Sequence, residues 1–151
     1  MNVSVDINIS KPAVEVWAAI TDIENCQDMV SSIIDLEVLD KPEKDLVGLK
    51  WKETRKMFGK EATETMWITE AVDSQYYCTR AENHGAIYIT KLSLAESDGV
   101  TTLNMTFSAE AETLGMKIMS AIMGLILKRS MKQALQTDLE DIKRFVEKSH
   151  S

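Results

Sequence analysis

The sequence predicts an α+β fold in which a curved antiparallel sheet of about seven strands wraps around one long C-terminal helix. Three observations predict it. Apolar and polar residues alternate along many short segments, which is the period of a strand with one buried face. Short turns containing Gly, Asp, Asn or Pro separate these segments, which favours antiparallel neighbours. Residues 114–148 contain no proline and carry apolar residues at helical spacing.

The composition is that of an ordinary folded domain. The chain has 151 residues, of which 44% are hydrophobic and 27% charged, and its formal net charge is −7. These values exclude a disordered chain, a collagen-like fibre and a disulfide scaffold, and the length predicts one domain over residues 1–151. The acidic balance argues against a nucleic-acid partner, which would require a basic face, so we expect none.

The first elements are a strand and two short helices. Residues 2–10 alternate between polar and apolar side chains, which indicates the first strand. Ser10 is expected to cap the next helix, whose first turn contains Pro12. Residues 21–24 are typical of a capping box that restarts the chain as a second short helix to residue 31.

Six further strands and the long helix follow. The strands are expected at residues 33–39, 49–58, 60–72, 75–82, 86–96 and 100–112, and the helix at residues 114–148. The helix would be ~50 Å long. It carries an apolar stripe made of Leu127, Met131, Leu135, Leu139, Ile142 and Val146. It is the one element large enough to cover the sheet, and a curved sheet around a helix often leaves a space that suits a ligand.

Three stretches resemble those of a known superfamily. Residues 9–22, with Val16, Trp17 and a closing Asp22, resemble its strand-to-helix entry. Residues 48–55 resemble its glycine-led cavity strand, and the Thr-Glu pair at residues 69–70 resembles its next strand end. The superfamily is that of the helix-grip fold: the SRPBCC or START-like proteins, with polyketide cyclase/dehydrase-like and pollen-allergen-like branches. The resemblance implies a cavity for a hydrophobic ligand.

The sequence departs from the superfamily in the second short helix. Members often carry a Trp or Tyr there, whereas this chain has Cys26 and Met29. The shape of the cavity mouth therefore does not follow from the resemblance.

The third strand carries charge on its expected inner face. Glu53 and Arg55 share that face with Leu49, Trp51 and Met57, whereas lysines and a threonine occupy the other face. Two inward charges are costly unless they are paired or solvated by a cavity. One interpretation is a polar anchor that binds a carboxylate, carbonyl or hydroxyl of a ligand. The alternative is a structural ion pair without a ligand role.

Other candidate lining residues lie on later strands and on the helix. Glu64 joins the site if the Met66 face of its strand is the inner one, and is solvated otherwise. Tyr88 and Thr90 bring hydroxyl groups to an otherwise apolar face. The full set of predicted ligand-binding residues is Trp51, Glu53, Arg55, Met57, Glu64, Met66, Tyr88, Thr90, Met105, Phe107, Met119, Met123 and Leu127.

Residues 114–127 are apolar nearly all round, so this helical segment should be covered on two sides. One side would close the cavity. The opposite side, with Ile118, Ile122 and Leu125, would meet a loop, a lipid surface or a second copy of the chain, so a homodimer through this segment is possible. The segment is too short to span a bilayer, which predicts no stable membrane insertion.

No catalytic motif stands out. His84 and His150 have no partner at metal-ligand spacing, and serine-nucleophile and phosphate-loop patterns are absent, so we predict no metal site and no cofactor. Cys26 and Cys78 form no CxxC and are expected to be two buried thiols. The N-terminus lacks the pattern of a signal peptide, which favours a cytoplasmic location.

Together these features predict a protein that binds a lipid, isoprenoid or aromatic polyketide-like molecule, as carrier or sensor. The first alternative is a polyketide cyclase/dehydrase-type enzyme, in which Glu53 would be the base and Arg55 or Tyr88 would hold the oxyanion. The second is a dimerising interaction protein with an incidental cavity.

Overall fold

A computed structural model describes residues 2–57, 59–83, 86–111 and 114–148, and within them all side chains except those of residues 57, 83, 111 and 114–127. Strand β1 (Asn2–Ile9) leads into helix α1 (Ala13–Ile20), a 3₁₀ turn (Ile23–Asn25) and helix α2 (Cys26–Met29). The remaining elements are β2 (Ile33–Asp40), β3 (Lys50–Met57), β4 (Lys60–Val72), β5 (Tyr76–Asn83), β6 (Ala86–Ser97), β7 (Val100–Ala111) and α3 (Leu114–Lys148).

All seven strands form one antiparallel sheet in the order β1-β7-β6-β5-β4-β3-β2. The six strands from β2 to β7 are a meander, and β1 joins the far edge by pairing with β7, with Val5 opposite Met105. Helix α3 packs against β1 and β7. The predicted fold class is confirmed, and the arrangement is the helix-grip fold.

The turn between β6 and β7 shows how local chemistry sets the register. Asp98 and Gly99 have φ angles of 53° and 78°, and Ser97 pairs with Val100 on either side of them. Two successive residues with positive φ form the turn whose twist matches that of the strands, and Asp followed by Gly adopts it at low cost.

Two expected helix caps are wrong. Pro12, with extended backbone angles, precedes α1 without a side-chain cap, and the Ser10 N–H donates instead to Glu147 Oε2 at 2.9 Å. Residues 21–24 form no capping box, because the Thr21 hydroxyl donates back to Trp17 O at 2.7 Å. The second short helix ends at Met29 rather than at residue 31, because Ser31 instead binds Asp141 of α3.

The densest core lies where β1, α1 and β7 meet the C-terminal half of α3. Among the described residues of these elements, seven side chains are at most 1% exposed: Ile9, Val16, Ile20, Thr101, Leu103, Leu139 and Val146. The predicted stripe of α3 is confirmed from Leu135 to Val146, with Met131 partly buried against the core. The Leu127 side chain lies outside the described residues. Within the part of the chain that the structure describes, no helix is both long and apolar enough to cross a bilayer.

Candidate functional site

A cavity of about 480 Å³ lies between the inner face of the sheet, the two short helices and α3. Most of its lining is apolar. The predicted ligand-binding residues that line it are Trp51, Glu53, Arg55, Glu64, Met66, Tyr88, Thr90, Met105 and Phe107.

Four predicted lining residues cannot be placed in this way. The side chains of Met57, Met119, Met123 and Leu127 lie outside those that the structure describes. The proposed dimer face on residues 118–125 lies in the same segment. Their roles stay predictions.

The register of β3 and β4 decides which face of β4 is the inner one. Met66 pairs with Trp51, and Glu64 pairs with Glu53, so the Met66 face lines the cavity. Ile68 continues that face into the core at 1% exposure. Glu64 therefore belongs to the group of polar side chains around Arg55 and is half-buried.

The two short helices supply lining that the predicted set omitted. Ile20, Ile23, Cys26 and Met29 form this wall. The wall is fastened to the sheet through Tyr77, whose hydroxyl donates to Ile20 O at 3.1 Å and whose ring meets Trp17 edge-on at 6.0 Å. On β6 and β7, Tyr88 and Phe107 stack at 5.9 Å and present a flat aromatic surface to the cavity.

A charged cluster spans the cavity wall from β3 to α3. Arg55 Nη1 donates to Asp138 Oδ2 at 2.6 Å, and Arg55 Nε donates to Glu53 Oε2 at 3.2 Å. Trp51 Nε1 donates to the other oxygen of Glu53 at 3.3 Å. The side chains of Glu53 and Asp138 are 10% and 6% exposed. Arg55 is therefore ion-paired within the protein and also lines the cavity, and a ligand role for Glu53 and Arg55 stays a prediction.

The cluster continues into the segment between α2 and β2. The Ser32 hydroxyl donates to Asp138 Oδ1 at 3.1 Å, and the Ser31 hydroxyl donates to Asp141 Oδ2 at 2.7 Å. Arg144 Nη1 donates to the other oxygen of Asp141 at 3.2 Å. These bonds fix the position of α3 relative to the cavity wall.

Asp138 was the main omission from the predicted site, although the sequence contains its signal. It lies three residues after Leu135 and four before Ile142, so it belongs to the apolar stripe of α3. A carboxylate at a core-facing helical position requires a buried partner. Arg55 is the inward cation on the sheet that meets it.

The ionisation of the lining groups follows from their surroundings. Burial lowers the pKa of Arg55, but Asp138 and Glu53 outweigh that effect and raise it overall. Burial, together with the charges of Glu53 and Asp22, raises the pKa of Cys26 to about 12. Cys26 therefore remains a thiol near neutral pH and is not an activated nucleophile. Burial and Glu64 raise the pKa of Tyr88, so its hydroxyl remains a donor.

A family model described as polyketide cyclase / dehydrase and lipid transport matches residues 1–147. The chain belongs to this family. The match agrees with the resemblance drawn from residues 9–22 and 48–55. A comparison with curated proteins finds no significant match.

Solved structures show the same fold as this member of the polyketide cyclase / dehydrase and lipid transport family. TTHA0849 from Thermus thermophilus has a TM-score of 0.83 and 14% identity over 100% of both chains. A START superfamily protein from Mycobacterium smegmatis has a TM-score of 0.80 and 12% identity over 97% of each chain. The Zhui aromatase/cyclase from Streptomyces sp. R1128 has a TM-score of 0.80 and 14% identity over 97% of this chain and 93% of its own. At such identities the likeness shows the fold alone.

Proposed function

We propose that the protein binds a hydrophobic small molecule in the cavity between the sheet and α3, as a carrier or sensor. The cavity of about 480 Å³ is the observation that carries this proposal. Its size lies in the range of small-molecule sites, and its lining is mainly apolar with a few convergent polar groups. Membership of the polyketide cyclase / dehydrase and lipid transport family supports it.

Affinity would come from the removal of apolar surface from water. Burial contributes about 25 cal/mol per Å² of ligand surface, less the cost of immobilising the ligand. Methionine side chains such as Met66, Met105 and Met131 adjust easily to ligands of different shape. Tyr88 and Arg55 would orient the polar end of the ligand.

Native mass spectrometry of freshly purified protein tests the proposal, followed by solvent extraction and mass analysis of the released material. A discrete added mass that extraction removes supports binding and identifies the ligand class. If none is retained, titration with the apolar fluorophore N-phenylnaphthylamine decides the question. Failure of the folded protein to enhance its fluorescence contradicts the proposal.

A pair of variants shows whether binding occurs inside the cavity. Thr90 lines the cavity, whereas its neighbour Ile89 is 38% exposed on the opposite face of β6. Thr90→Trp should fill the cavity and lower fluorophore affinity at least tenfold. Ile89→Trp adds the same ring outside and should leave the affinity unchanged. Equal effects of the two variants would place the binding site elsewhere.

The cyclase or dehydratase alternative uses the same cavity, with Glu53 as base. One observation disfavours it: Trp51 and Arg55 each donate to a Glu53 oxygen, so a substrate proton would have to reach a remaining lone pair beside these two donors. A base needs an oxygen that can reach the substrate proton. If polyketide-like substrates are turned over, Glu53→Gln should abolish the reaction. Turnover that survives Glu53→Gln would remove Glu53 from that mechanism.

The third candidate, a dimer through residues 114–127, is tested independently by size-exclusion chromatography. Ile122→Glu should convert a dimer to a monomer. If wild type and variant are both folded monomers, the interaction face is excluded.

A further inference from the structure

The charges on the described part of the cavity lining are unbalanced. Among the described lining residues, the carboxylates are Glu53, Glu64 and Asp138, and the cations are Arg55 and Lys60. Lys60 is exposed to solvent, so its charge is screened by water. Arg55 is thus the one enclosed cation of the described lining, and it faces two enclosed carboxylates.

Arg55 is already neutralised by its own protein partners. Asp138 and Glu53 bind its Nη1 and Nε atoms at 2.6 and 3.2 Å. Within the described residues, Nη2 donates no side-chain hydrogen bond, so it has donors available for an oxygen in the cavity. That oxygen would receive hydrogen bonds from a group whose positive charge is compensated.

We propose that the cavity discriminates against anionic ligands, that its occupant is an uncharged amphiphile whose hydroxyl or carbonyl oxygen accepts from Arg55, and that Asp138 sets this preference. The inference rests on the proposed binding function and names its ligand class.

A ligand carboxylate has two ways to reach Arg55, and each is unfavourable. It can approach as a third anion beside Glu53 and Asp138, where repulsion is weakly screened because the site is enclosed. It can also displace Asp138, which leaves a carboxylate of 6% exposure without its cation. The bond from Ser32 to Asp138 opposes that displacement. A neutral hydroxyl or carbonyl oxygen is not repelled by the carboxylates and does not need to displace Asp138.

The first experiment compares charged homologues of equal chain length on the wild-type protein. Decylammonium, decanoate and decanol each compete with N-phenylnaphthylamine near neutral pH, below their aggregation concentrations. Decanol should compete with the fluorophore. Decylammonium should bind at least tenfold more tightly than decanoate, because the two ions have similar desolvation costs but the enclosed carboxylates attract only the cation. Decanoate binding as tightly as decylammonium overturns the inference and leaves the proposed function intact. A fluorophore that does not bind overturns both.

The second experiment tests whether removing one carboxylate changes the preference of the cavity for uncharged over anionic ligands. Asp138→Asn keeps the shape of the side chain and removes one of the two carboxylates paired with Arg55, while Glu53 remains. Decanoate should then bind at least tenfold more tightly, while decanol affinity changes less than threefold. Glu140→Gln is the matched control, because Glu140 is exposed two residues away on α3 and does not line the cavity. It removes the same charge and should change neither affinity.

Glu53→Gln tests the same prediction by removing the other carboxylate paired with Arg55, which lies on β3. It replaces Asp138→Asn as the test if that variant does not fold. An unchanged decanoate-to-decanol affinity ratio in the folded variants means that the cluster is structural only, and the inference fails.

Discussion

Two sets of positions on α3 use the same helical stripe for different purposes. Leu139 and Val146 pack into the core shared with β1 and α1 and are almost fully excluded from solvent. Met131, Leu135, Asp138 and Ile142 line the cavity, and one of these positions is a carboxylate. A single amphipathic helix therefore provides both a packed core and one wall of the cavity.

The difference indicates which positions of α3 determine the stability of the fold and which can be substituted at little cost in stability. A side chain with close neighbours on every side loses all of those contacts when it is truncated. A side chain beside a cavity already lacks some of them. Substitutions on the cavity side should therefore change binding more than stability, and those on the core side the reverse.

The largest expected effect tests this contrast on two leucines one turn apart. Leu139→Ala should lower the free energy of unfolding by about 4 kcal/mol, because Leu139 is 0% exposed and its loss leaves a new void. Leu135→Ala removes the same atoms beside an existing cavity and should cost about 2 kcal/mol. Urea denaturation of both variants measures the gap. Equal losses would mean that the cavity is collapsed in solution.

The next effect concerns the charged cluster in the cavity wall, formed by Arg55, Glu53 and Asp138. Arg55→Met leaves Glu53 and Asp138 enclosed without a cation and should cost about 3 kcal/mol in urea denaturation. The double variant Arg55→Met/Asp138→Leu should recover part of that loss, because it removes one unpaired charge. A single variant within about 0.5 kcal/mol of wild type would show that water reaches the cluster freely.

A third effect depends on pH and tests whether Cys26, in the cavity wall formed by the two short helices, is shielded from solvent. The pKa of Cys26 is about 12 in the fold against an ordinary value of 9.0. The fold binds this proton more tightly than the unfolded chain does. Its contribution to stability is therefore complete below about pH 9 and is lost as the pH rises towards 12.

Cys26→Ala isolates this contribution, because the other titrating groups remain. Between roughly pH 8 and roughly pH 10.5, the unfolding free energy of wild type should fall by about 2 kcal/mol more than that of the variant. Parallel decreases in the two proteins would show that the Cys26 thiol meets solvent.

The smallest effect on stability comes from Tyr88→Phe. Tyr88 lines the cavity and is only half-buried, so the unfolding free energy should change by less than about 0.5 kcal/mol. Decanol should nevertheless bind a few-fold more weakly, because one donor to its oxygen is lost. Tyr76→Phe is the control, since its hydroxyl donates to Glu70 on the exposed face of the sheet. Equal decanol affinity in both variants would remove Tyr88 from the site.

The sequence predicted the strands and the long helix because their periods are set by one buried face, and α3 was bounded at the residues observed. Glu53 and Arg55 were found for the same reason, since charge at an inward position conflicts with the pattern. The short-helix wall was missed because Ile20, Cys26 and Met29 reach the cavity through tertiary packing of segments too short to show a period. The Ser10 cap and the end of the second short helix were wrong because Ser10 and Ser31 bind groups on α3, more than a hundred residues away. The capping box was wrong because the Thr21 hydroxyl donates to Trp17 O instead.

The pairing of β1 with β7 also governs the order in which this fold can be completed. Ser4 contacts Asn104 across a sequence separation of 100 residues, and β1 also lies against α3. During synthesis β1 therefore cannot pair until β7, the last strand of the sheet, has been made. Its alternating apolar face, with Val3 and Val5, needs protection in that interval. Such long-range closure predicts slow folding for a chain of this size, with the β1–β7 seam forming late.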